Sequence, residues 1–74
     1  MNTKREESIL DIVNTFEEMA DIILAQLTLL EKYMAGPEES ERKRIKHEIT
    51  ENEDKIDKFE ILISDKFTNS LILY

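Results

Sequence analysis

Glu53, Asp57 and Glu60 stand four and three residues apart, so in a helix their carboxylates share one line along its surface. A row of this kind can coordinate a hard cation, divalent or ferric, because such ions take oxygen ligands. It supplies only part of a shell of about six oxygens, so a facing helix must complete the site and binding by this chain alone is expected to be weak. The same spacing also makes an ordinary solvated acidic edge, partly paired with Lys55 and Lys58, which is the usual role of charge rows on helices. His47, between Lys46 and Glu48, reads as an exposed surface histidine. Arg42, Lys43, Arg44 and Lys46 form the one basic cluster, a candidate for phosphate or a nucleic-acid backbone. Glu38, Glu39, Glu41 and Glu48 surround it, and pairs such as Glu38 with Arg42 and Glu39 with Lys43 explain it more simply. The single glycine adjoins proline and cannot build a phosphate-cradling loop, and the absence of cysteine excludes disulfides and thiolate metal sites. No nucleophile and base, cofactor loop or complete metal shell can be assembled, so the chain reads as a non-enzyme without catalytic or cofactor-binding residues.

The elements that must carry these residues are helices. Ile9, Val13, Phe16, Ala20, Ile23, Leu27, Leu30 and Met34 alternate in fours and threes over more than three heptads, which predicts a helix seam. Thr3 and Glu6 have the spacing of a capping box at its start. Gly36 can take the left-handed conformation that closes the helix, and Pro37 pre-sets the first position of a second one. That second helix carries the stripe Ile45, Ile49, Asn52, Ile56, Phe59 and Ile63, with Glu38, Glu39 and Glu41 at its N-terminus, where the helix dipole favours acid. The expected boundaries are about 4–35 and about 38–72. The short connection folds the two into an antiparallel hairpin, one all-α module spanning the chain. Asn52, polar among isoleucines, reads as a device that fixes register.

Partners are expected. A chain of 74 residues buries little surface, and Ile22, Leu29 and Leu62 point away from the two stripes. Leu71, Ile72, Leu73 and Tyr74 add an apolar terminus. These features predict a homo-oligomer, a dimer forming a four-helix bundle. The formal net charge of -7 argues against nucleic acid and favours basic partners or cations. The longest apolar stretch, from Ile22 to Leu30, is interrupted by Gln26 and Thr28 and falls short of the roughly 20 residues of a membrane span. Without membrane insertion or a signal-peptide core at Met1 to Glu7, the expected location is cytoplasmic.

The stretch from Glu53 to Ile63, followed by Leu71-Ile72-Leu73-Tyr74, resembles the second helix of a PhoU-type repeat. In PhoU-like proteins, which regulate phosphate uptake, a long first helix carries an apolar heptad seam, as Ile9 to Met34 does. The second then carries an acidic residue, three others and an aspartate. Glu53 and Asp57 match that pair, and Ile56, Phe59 and Glu60 match its flanks. The resemblance implies a regulatory module for phosphate transport that contacts a transporter or sensor protein. It also implies an N-terminal fragment or truncated relative, ending before the third helix, whose proline, Asp-Leu-Arg segment and second acidic motif would complete a metal site. The rival reading of the same pattern is a small helical adaptor or chaperone-like hairpin with no role for metal.

Overall fold

The connection between the helices is set by Gly36, whose φ of 73° lies in the left-handed region that residues with a Cβ avoid. In a computed structural model, which describes residues 3–73, α1 spans Thr3–Met34 and α2 spans Glu39–Leu73. Ala35 N–H donates to the carbonyls of Glu31 and Lys32 at 3.1 and 3.3 Å, and Gly36 N–H donates to that of Tyr33 at 3.3 Å, so the last turn of α1 tightens before the chain reverses. The carbonyl of Glu38 accepts from Arg42 N–H at 2.8 Å, which makes Glu38 the cap of α2. Pro37 therefore precedes the cap and is not the first helical residue that the sequence suggested. Its missing N–H costs nothing there. Thr3 likewise stands inside α1 and not ahead of it, contrary to the capping-box pattern. Met1, Asn2 and Tyr74 lie outside the described residues.

The two helices form an antiparallel hairpin. Asp11 pairs with Lys66 near the open end, and Gln26 reaches the carbonyl of Ile49 nearer the turn. On α2 the covered face is the predicted one: Ile45 is buried at 1 % exposure, and Ile49, Asn52, Ile56, Phe59 and Ile63 are half-buried. One apolar stripe on that helix leaves one way to pack it.

On α1 the expectation fails. The face against α2 is Ser8, Ile12, Thr15, Met19, Ile22, Gln26, Leu29 and Tyr33, all buried or half-buried. This is also an alternation of fours and threes, rotated by about 100° from the predicted seam. Of that predicted seam only Ala20 is half-covered; Ile9, Val13, Phe16, Ile23, Leu27, Leu30 and Met34 are 37 to 84 % exposed. Ile22 and Leu29, expected to be left over, lie against α2, while Leu62 is exposed as expected. Two polar members of the covered face reach backbone carbonyls. Thr15 donates its hydroxyl to the Asp11 carbonyl at 2.7 Å, and Gln26 Nε2 donates to Ile49 O at 3.0 Å.

The result is a rod of 56 × 16 × 12 Å with a radius of gyration of 16.9 Å, against about 11 Å for a compact domain of this length. Its accessible surface is 5870 Å². A compact monomer of 8.7 kDa exposes about 4,700 Å².

Candidate functional site

The uncovered stripe of α1 is the most prominent chemical feature of the hairpin. Its residues follow the period of a two-helix seam from Ile9 to Met34, so they present a straight apolar track along nearly the whole helix. Leu10 and Leu24, exposed by 59 % and 62 %, widen the track on its outer side.

The inner wall of the track comes from α2. Counting forward around each helix from its paired face, the stripe lies about 100° on along α1, and Glu53, Asp57 and Glu60 lie about 60–120° on along α2. In an antiparallel pair, turns of the same sense lead to the same side of the hairpin. The open end bears this out, because a groove of about 320 Å³ there joins Ile9 and Val13 of the stripe to Phe67 and Leu71 of α2. Nearer the turn, a second hollow of about 330 Å³ is lined by Tyr33, Glu39, Arg42, Lys43 and Lys46. The wall thus runs from basic near the turn, through the carboxylates beside Phe16 to Ile23, to apolar at the open end.

Glu53, Asp57 and Glu60 are all exposed and stand at the rim of the pair. Among the described residues, no three carboxylate, histidine or cysteine side chains gather closely enough to hold a metal ion. Three exposed carboxylates from one helix do not fit a closed hard-ion shell, and this hairpin places no second helix opposite them. Lys55 and Lys58, expected to pair with the row, border a shallow groove of about 180 Å³ with Phe59 and Leu62 on the opposite side of α2.

The basic cluster is held mainly by its own helix. Lys43 pairs with Glu39 at 3.7 Å, and Arg44 with Glu41 at 3.5 Å and Glu48 at 2.9 Å. The Arg42 guanidinium donates to the Pro37 carbonyl at 3.3 Å and not to the Glu38 carboxylate. His47 is exposed and sits 3.1 Å from Glu51.

Asn52 lies half-buried at its seam position. Sequence reasoning missed Gln26, the only amide of α1 buried against α2, at 8 % exposure. Its signal was present in the sevenfold spacing of Ile12, Met19, Gln26 and Tyr33, but the cleaner apolar stripe beside it drew attention away. No described helix is long and apolar enough to cross a membrane. No family model, curated protein or solved structure matches the chain.

Proposed function

We propose that this chain is a PhoU-like regulatory module for phosphate transport, acting by helical contact with other proteins and not by turnover. The observation that carries the contact is the uncovered α1 stripe. A hairpin that had only to bury its own apolar surface would pair on that stripe, because it contains no polar residue, yet α2 covers the face containing Thr15 and Gln26. The stripe is left for a further helix. The connection to phosphate transport rests on Glu53, Asp57 and their flanks, and any contribution of those carboxylates to a metal site requires ligands from that further helix. When no other helix occupies the stripe, two copies cover it mutually as a four-helix homodimer.

The test has two parts. Sedimentation velocity should show a species near twice the chain mass of 8.7 kDa, and a helical Phe16→Ser, Leu27→Ser variant should sediment as a monomer. A stably folded wild-type monomer at micromolar concentration would remove the homodimer. For the regulatory role, phosphate uptake should change when the gene is deleted, recover with the wild-type chain and fail to recover with the stripe variant; unchanged uptake on deletion would end that reading.

A further inference from the structure

We infer that the occupant of the α1 stripe is an amphipathic helix of another protein, apolar on one face and edged with lysine or arginine. This rests on the reading of the stripe as a docking face and adds the chemistry of what docks. From Glu6 to Glu31, α1 carries seven acidic residues and no basic one. Glu17 and Glu31 alternate at heptad spacing with Leu10 and Leu24 along the outer edge of the stripe. On the inner edge stand Glu53, Asp57 and Glu60. A helix lying on the stripe therefore meets carboxylates on both flanks over its middle, from Phe16 to Ile23, with Arg42, Lys43 and Lys46 at the turn end of the wall and Arg5 at the open end.

Charge decides between the available occupants. A second copy brings its own acid-only stretch of α1 against the acidic middle of the groove, and like charges across an interface oppose association. A helix with basic edges reverses the sign of each of those contacts while burying the same apolar track. Surface area permits it. The hairpin exposes about 1,100 Å² more than a compact chain of its mass, which exceeds the roughly 800 Å² per partner of a standard interface.

The probes are two fluorescent helical peptides of about three heptads, identical in a leucine stripe and differing only in lysine or glutamate at the flanking positions. A third peptide has the lysine composition with its leucines scrambled off one face. Binding is read by fluorescence anisotropy against the wild-type chain and three variants. Glu53→Gln, Asp57→Asn, Glu60→Gln neutralises the wall; Glu51→Gln, Asp54→Asn, Asp65→Asn removes the same charge from the back of α2; Phe16→Ser, Leu27→Ser interrupts the stripe. Circular dichroism checks that each remains helical.

The lysine-edged peptide should bind about tenfold more tightly than its glutamate counterpart, the sum of several modest charge pairs. That preference should shrink in about 0.5 M salt, where screening acts within a few ångströms. It should also shrink in the wall variant but persist in the back variant, and the scrambled peptide should bind poorly. Equal binding of both edged peptides, or equal loss in the wall and back variants, would overturn the basic-helix assignment while leaving the stripe as a docking face. If binding survives the stripe variant, or neither edged peptide binds, the docking face and the assignment fall together.

Discussion

Gln26 shows how a polar residue can occupy the centre of a hairpin at moderate cost. Its Nε2 donates to the Ile49 carbonyl, which ties one turn of α1 to one turn of α2, but its Oε1 is buried without a partner. The unpartnered oxygen costs about 1–3 kcal/mol, whereas the single hydrogen bond returns about 0.5–1.5 kcal/mol. Gln26→Leu, nearly the same size, should therefore stabilise the chain by about 1 kcal/mol and raise its melting temperature by about 4–8 °C. A lower melting temperature would mean that Oε1 has a partner in solution. Asn52 also sits at the interface, but half-buried, so water can reach it and Asn52→Ile should gain less. The carboxylates raise a different question at this scale. Glu53, Asp57 and Glu60 are exposed and face no second set of ligands within the hairpin, so manganese should bind no more tightly than about 0.1 mM, the range of sparse oxygen sites. Calorimetric titration measures this. Submicromolar binding abolished by Glu53→Gln, Asp57→Asn would show that a second chain completes the shell.

The helices differ in how much of their packing could be read in advance. On α2 the stripe from Ile45 to Ile63 is the only seam of its kind, so the covered face followed from periodicity alone. On α1 two seams run side by side, about 100° apart. Hydrophobicity ranks the stripe from Ile9 to Met34 first, but the face from Ser8 to Tyr33 is the one α2 covers. Periodicity says where helical faces lie, not which neighbour takes which face; the contact of Gln26 with the Ile49 carbonyl, which favours the covered face, is one that only the folded pair reveals. The carboxylate row was legible for the same reason as the α2 stripe, since both follow from one helix. What the row faces was not, because that depends on the phase of α1. The turn was legible from Gly36 and Pro37, and it yields a test at the level of the connection. A Cβ placed on Gly36 meets nothing within 4 Å, so Gly36→Ala isolates the backbone strain of a φ of +73°. It should destabilise the hairpin by about 1 kcal/mol, with Gly36→Asn losing less because asparagine tolerates this conformation better. Equal melting temperatures for glycine and alanine would show that the chain turns differently in solution.

As a whole the molecule is a rod one helix pair thick, and few of its side chains are removed from water by the chain itself. Met19 and Ile45 are its only buried apolar residues among those described. With so small a core, the proposed self-association would add to stability, and the melting temperature should then rise with protein concentration as mass action favours the covered state. The charge distribution then sets how association responds to salt. A homodimer formed through the α1 stripe brings together two acid-only stretches, each from Glu6 to Glu31, on chains of formal charge -7. Repulsion between them weakens the dimer most at low ionic strength, where the screening length reaches about 30 Å, and least near 1 M, where it is about 3 Å. Burial of apolar surface does not depend on that screening. Sedimentation equilibrium in sodium chloride should therefore show the dimer dissociation constant falling as salt rises, the reverse of the trend expected for a basic helix on the same face. A dimer that loosens with salt would have to be held by opposite charges, which Arg42, Lys43 and Lys46 supply at the turn end of the stripe's wall and Lys55 and Lys58 beside Phe59 and Leu62 on the other side of α2. The variants separate the two: a Lys55→Gln, Lys58→Gln variant that lost the dimer while Phe16→Ser, Leu27→Ser kept it would move the self-association surface to the other side of α2.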